Sequence, residues 1–265
     1  MSRDEGASSQ ELRSKADAKS VTKANYDRLS RWYDWMAARS ERKAVQAGLD
    51  LLAASEGETI LEIGYGTGRA IEALARAVGE SGRVVGIDLS EGMHRVAVKR
   101  VERAGLSHRV DLICGDATFL AAELKRNATP PLLPKVSRRS PGYRLQPEKA
   151  GLPLSLKHPE GMRDAIFMSF TLELFDTPEI PIVLHECRRV LRTGGRIAVV
   201  SMQKKTPPGL AQRLYEWAHE KMPNIVDCRP IHADHALVDA GFRVTQQTEM
   251  RMWGLPVSIV LGKKP

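Results

Sequence analysis

Three carboxylates and three glycines carry the chemistry that this chain advertises. Gly64, Gly66 and Gly68 alternate with other residues in "ILEIGYGTGRAIEAL", where an apolar run gives way to a helical pattern. Glu62 precedes the first glycine by two residues; Asp88 and Asp116 close the next two apolar runs, "GRVVGID" and "RVDLICGD". A glycine turn between strand and helix lets a ligand approach the backbone: Gly64 permits the turn, Gly66 removes a blocking side chain, and Gly68 lets the helix sit close. A carboxylate ending the next strand suits the two hydroxyls of a ribose. One ending the third strand borders the place of a base. The spacing is GxGxG rather than the GxGxxG of dinucleotide sites, and Glu62 would repel a pyrophosphate while it could receive an ammonium. A nucleoside that carries an amino group and no phosphate fits this set. A tight turn with no ligand, and a nucleotide-binding dehydrogenase, are the competing readings.

The elements that must position these residues follow from hydrophobic period. Val21–Leu52 reads as helical, and after it strands and helices alternate. "ETILEIG" is a strand, "RAIEALARAVG" a helix stopped by Gly79, and Ser90 caps a helix whose Met93, Ala97, Val101 and Ala104 share a face. "DAIFMSF" is a fourth strand. Thr177 and Pro178 read as the cap and first-turn proline of a helix that Gly194 and Gly195 end, and "RIAVVSM" is the fifth strand. "GLAQRLYEWAHEKM" and "IHADHALVDAGF" are further helices, and two consecutive terminal strands are spaced to pair antiparallel. Such alternation implies an α/β fold with a doubly wound, mostly parallel sheet, in which ligands bind at the carboxyl ends of the strands. Gly64–Gly68, Asp88, Asp116 and Ser169 then share one rim.

The 265-residue chain is expected to form a single domain over residues 21–265, with residues 1–20 as a disordered tail. The alternation breaks at about 118–163. Seven of the fifteen prolines fall there, and eight basic residues between Lys125 and Lys157 face Glu148 alone, so nearly all of the formal +8 belongs to this segment. It reads as a basic, proline-rich insertion. No apolar run is long enough to span a membrane, and the first twenty residues resemble neither a signal nor a transit peptide. Three scattered cysteines with no CxxC pair suit a reducing compartment, so a cytoplasmic location is expected.

Together the motifs resemble the class I S-adenosylmethionine-dependent methyltransferases. "LEIGYGTG" is similar to their first motif, "GIDLSEGM" to the ribose-binding strand end, "CGDAT" to the adenine-contacting turn and "RVLRTGGRIAVVS" to the fifth-strand motif. The resemblance implies S-adenosyl-L-methionine as cofactor and a seven-stranded sheet with a reversed seventh strand. It places Asp88 at the ribose hydroxyls, Asp116 and Ala117 beside the adenine, and the glycine loop with Gly64, Tyr65, Gly66 and Gly68 near the methionine portion; Glu62, Leu89 and Ser169 are further cofactor-binding candidates. "YDRLSRWYDWM" and the C-terminal layout resemble the ubiquinone/menaquinone-biosynthesis methyltransferases, which implies a small organic acceptor, quinone-like or another small metabolite. Where that group has an Arg-Asn turn after the fourth strand, this chain reads "SFTLELFD".

Tyr26, Tyr33 and Trp35 on one side and Tyr215, Trp217 and His219 on the other are the expected acceptor enclosure, with His219 as the candidate base. Glu173 either faces the acceptor or caps the next helix. No metal site is expected, since "HADH" at His232–His235 has no third ligand nearby. Methylation of nucleic acid or protein, with the basic insertion as tether, is the rival for the acceptor. No Asn-Pro-Pro-Tyr or Pro-Cys motif supports it, so no nucleic-acid partner is expected.

Overall fold

The structure, a computed structural model, describes residues 39–120, 163–204, 230–252 and 255–265. The expected tail, the aromatic segment before residue 39, most of the insertion and the helix expected at 209–222 lie outside them. So do Tyr26, Tyr33, Trp35, Tyr215, Trp217 and His219.

In chain order the elements are α1 (Arg39–Leu52), β1 (Thr59–Ile63), α2 (Arg69–Ala77), β2 (Arg83–Asp88), α3 (Glu91–Arg103) and β3 (Val110–Cys114). They continue with β4 (Arg163–Ser169), α4 (Ile180–Val190), β5 (Leu191–Met202), α5 (Ala233–Asp239), β6 (Arg243–Met252) and β7 (Leu255–Lys263). The strands form one seven-stranded sheet in the order β3-β2-β1-β4-β5-β7-β6. The first five run parallel, and β7 runs antiparallel to both β5 and β6. The order reverses between β1 and β4, which is where a ligand crevice opens in such sheets.

Strand alternation divides the core into two layers. Ile60, Phe167 and Val200 pack under α1, α2 and α3, whereas Leu61, Ile166 and Val199 pack under α4 and α5. On β1 this alternation turns Glu62 to the α1–α3 side, where it is 1% exposed. Helix α1 lies close on the sheet because residue 48 is glycine: a Cβ there would stand 2.4 Å from Val200 Cγ2. Its C-terminal end is tied down by Arg196, which donates to Leu52 O at 2.6 Å and Ala53 O at 2.8 Å and pairs with Glu58 at 2.7 Å. Cations at this end complement the helix dipole.

Two boundaries differ from the sequence reading. Helix α4 starts at Ile180 with Pro181 in its first turn, while Thr177 and Pro178 belong to the preceding turn. It ends at Val190, before the glycines, because Leu191 is fully buried and extended and already pairs with Arg163. The β4–β5 register then shifts, so that Ala165 faces Arg196. Gly194, at φ 75°, makes the intervening bend and donates to Lys264 O at 3.0 Å.

Candidate functional site

Where β1 ends, the backbone takes positive φ at Gly64, Gly66 and Gly68, a conformation that costs a side-chain-bearing residue about 1–2 kcal/mol. The three glycines do different things. A Cβ on Gly64 would stand 2.1 Å from Thr171 Oγ1, so the turn after β4 presses directly on the loop. A Cβ on Gly66 would meet nothing within 4 Å, so its open side belongs to the cavity above. A Cβ on Gly68 would stand 2.9 Å from that of Ala97, and this glycine packs α2 against α3 instead of lining the cavity.

Asp88 holds the arrangement together. Its Oδ2 accepts from Gly66 N at 2.8 Å and its Oδ1 from Ser90 N at 2.9 Å, while Ser90 Oγ caps α3 by accepting from Met93 N at 3.2 Å. Tyr65 runs beneath the loop through space left by Gly86, where a Cβ would approach its ring to 2.7 Å. Its hydroxyl donates to Ile113 O at 3.2 Å and lies 2.7 Å from His94 Nδ1. Asp116 Oδ1 accepts from Thr118 N at 2.9 Å and Thr118 Oγ1 at 2.7 Å, fixing the turn that sets Ala117 at the cavity's edge.

Glu62 has a buried carboxylate oxygen, Oε2, with no hydrogen-bond partner. Burial first, and the charge of Asp88 second, push its pKa well above the ordinary carboxylate range. Orphaned buried groups are rare and call for a partner. An ammonium at this place would satisfy the oxygen and restore its charge.

Glu62, Gly64, Tyr65, Gly66, Asp88, Leu89, Asp116, Ala117 and Ser169 all border one cavity of about 800 Å³. That lies at the upper end for sites enclosing a drug-sized ligand. The cavity continues past the rim between α1 and the turn after β4, onto Val45, Leu49, Phe170, Leu174 and Phe175. These residues, with Glu41, Arg42 and Arg69, were missed in the sequence reading. A signal for α1 was present, because Glu41, Val45 and Leu49 recur every four residues and so share one helix face.

Glu173 points elsewhere. It sits in a 3-10 turn (Leu172–Leu174), is fully buried, and accepts from Met202 N at 3.0 Å. Its carboxylate takes a β5 donor just past Ser169↔Val200, the last β4–β5 pair. It neither lines the cavity nor caps α4, which correct both expectations for it. Burial pushes its pKa up to about 8. His232 and His235 stack with ring centroids 5.2 Å apart, and no group of three metal-ligating side chains occurs among the described residues.

Comparison with known proteins assigns the chemistry. Residues 60–129 match a family profile described as a methyltransferase domain, and residues 150–230 match the ubiE/COQ5 methyltransferase family. The chain is an S-adenosylmethionine-dependent methyltransferase. The methyltransferase is 24% identical over 200 residues to the 2-phytyl-1,4-naphtoquinone methyltransferase of Synechococcus elongatus, covering 76% of this chain and 70% of that protein. It is 26% identical over 200 residues to the demethylmenaquinone methyltransferase of Geobacillus stearothermophilus, covering 76% of this chain and 68% of that one. The fold matches the 1,6-didemethyltoxoflavin-N1-methyltransferase of Burkholderia thailandensis, solved with S-adenosylhomocysteine. The TM-score is 0.59 at 14% identity, over 94% of this chain and 89% of that one. Among the described residues, no helix of the methyltransferase is long and apolar enough to cross a membrane.

Proposed function

We propose that the enzyme methylates a small hydroxylated aromatic acceptor of the quinol type. Asp88, with Leu89, takes the ribose, and Asp116 and Ala117 border the adenine. Glu62 receives the methionine ammonium, while Gly64, Gly66 and Ser169 admit the chain that carries it. Tyr65 and Gly68 act from below, as floor and as packing. The unpartnered Glu62 oxygen supports this orientation. When bound, the cofactor supplies a methyl group on a sulfonium, an already activated leaving group. What remains for the protein is alignment and exclusion of water.

The observation that carries the acceptor reading is the apolar extension of the cavity over Val45, Leu49, Phe170, Leu174 and Phe175. A flat ring fits such a wall. The relatives named for naphthoquinone and demethylmenaquinone methylation point the same way. Tyr26, Tyr33, Tyr215 and Trp217 would complete the enclosure. In this reading residues 21–265 form one catalytic domain acting in the cytoplasm, and the segment at about 118–163 is a solvated insertion rather than a nucleic-acid tether.

The test is incubation with deuteromethyl-labelled cofactor and 1,4-dihydroxynaphthalene, read by mass spectrometry. A labelled mono-methyl product is expected. Labelling of RNA or protein with none of the naphthalene would reverse the acceptor assignment. Calorimetry with S-adenosylhomocysteine and with NAD checks the cofactor site, where only the first should bind.

A further inference from the structure

Acceptors with a weakly acidic hydroxyl react faster once that proton is removed, so the cavity should contain a group to take it. Among the described residues seven carboxylates border the cavity, and most are committed. Asp88 and Asp116 accept backbone N–H groups that hold the glycine loop and the turn after β3. Glu62, almost fully buried under the glycine loop, is taken by the methionine ammonium in the reading above. Glu72 pairs with Arg76 at 2.9 Å and with Arg100 at 3.7 Å. Glu179 accepts from Asp176 N at 3.2 Å, and Asp176 stands exposed on the outer lip.

Glu41 remains. It lies in the first turn of α1, is partly shielded from solvent, and shares its helix face with Val45 and Leu49 on the apolar extension of the cavity. Gly48 and Arg196 fix the helix against the sheet, so this side chain is carried by a rigid element.

We propose that Glu41 is the catalytic base that takes the acceptor's hydroxyl proton. This rests on the acceptor reading above. The O–H bond breaks, and the proton passes to a Glu41 carboxylate oxygen. The electron-rich ring carbon then bonds to the methyl carbon. The electron pair of the breaking C–S bond stays on sulfur, which leaves as a neutral thioether. The ring carbon loses its own proton to water, and Glu41 returns the hydroxyl proton. One proton is released per methyl transferred.

Two charged neighbours bear on this role. Burial raises the Glu41 pKa above the ordinary carboxylate range, which strengthens it as a base, while the charge of Arg69 pulls the other way and keeps it ionisable. Arg42, next in the chain, borders the same cavity.

Glu41→Gln and Glu41→Asp in the full chain test the proposal. With 1,4-dihydroxynaphthalene, Glu41→Gln should lower kcat by about 100-fold or more and remove the acid limb of its pH profile. Glu41→Asp should retain part of the rate. S-adenosylhomocysteine affinity, measured by calorimetry, should stay at the wild-type value in both variants. Wild-type kcat in Glu41→Gln would overturn the proposal. So would parallel loss of rate and cofactor affinity, which would instead assign Glu41 to holding Arg69. If the wild type leaves the naphthalene unmethylated, that counts against the acceptor reading. The same comparison is then made on products labelled in a metabolite extract, where equal labelling by wild type and Glu41→Gln would overturn the role of Glu41.

Discussion

At the ends of β1, β2 and β3 the chain turns on glycine and aspartate; at the end of β4 it turns on Phe170 and a buried carboxylate, Glu173. The first region is held by short-range rules. Asp88 accepts from the glycine loop and from Ser90, and Asp116 accepts from Thr118 two residues on. The second region is held by distant partners. Phe170 takes φ 51°, a strained choice for an aromatic residue, and donates its N–H to Val200 O at 2.8 Å. Thr171 presses on Gly64 from 107 residues away, and Glu173 accepts from Met202 N across the sheet. In the proposed reading the first side cradles the nucleoside, and Phe170 and Thr171 on the second border the acceptor end of the cavity.

The sharpest break in that contrast is Asp88→Ala. It removes the expected ribose partner and frees Gly66 N and Ser90 N together, so S-adenosylhomocysteine affinity should fall by more than about 100-fold in calorimetry. Glycine substitutions sharpen the comparison next. Gly64→Ala should lower unfolding free energy by about 3 kcal/mol, from positive φ plus collision with Thr171. Adding Thr171→Gly should recover the collision part. Gly66→Ala, whose Cβ meets no protein atom, should cost only about 1–2 kcal/mol of stability yet weaken cofactor binding in the same titration. Equal behaviour of the two single variants would mean that both glycines serve the turn alone.

In the turn after β4, Glu173→Gln isolates the buried carboxyl. Its folded pKa, near 8, lies above the ordinary value, so its stabilisation is full at acid pH, falls as pH rises toward 8 and is gone above it. Thermal unfolding at about pH 5 and about pH 9 should show the wild type losing a few kcal/mol that Glu173→Gln does not lose. An identical pH slope in both proteins would place the proton elsewhere. The smallest effect is expected from deleting Ala128–His158, which spans the gap between the two matched segments. Cofactor affinity should be nearly unchanged, and a loss like that of Asp88→Ala would make the insertion part of the site.

Ile60–Ile63, Val84–Ile87 and the Ser90 cap were readable because each depends on period or on neighbours within a few residues. The boundaries of α4 were misplaced for the opposite reason. Thr177-Pro178 and Gly194-Gly195 are good local signals, yet burial of Leu191 and its pairing with Arg163 overrode the glycine stop. Glu173 shows the same limit. Its position just past β4 was legible, but its direction depends on where Met202 lies.

The sequence by itself determined the layered sheet, the glycine loop and the carboxylates at the strand ends, since strand period, helix period and turn chemistry are written in adjacent residues. Only the tertiary structure decided that Gly64 yields to Thr171, that Glu173 serves β5, and that α1 presents Glu41 to the cavity. Those outcomes depend on contacts between residues far apart in the chain, and no local pattern encodes the direction in which a side chain finds its partner.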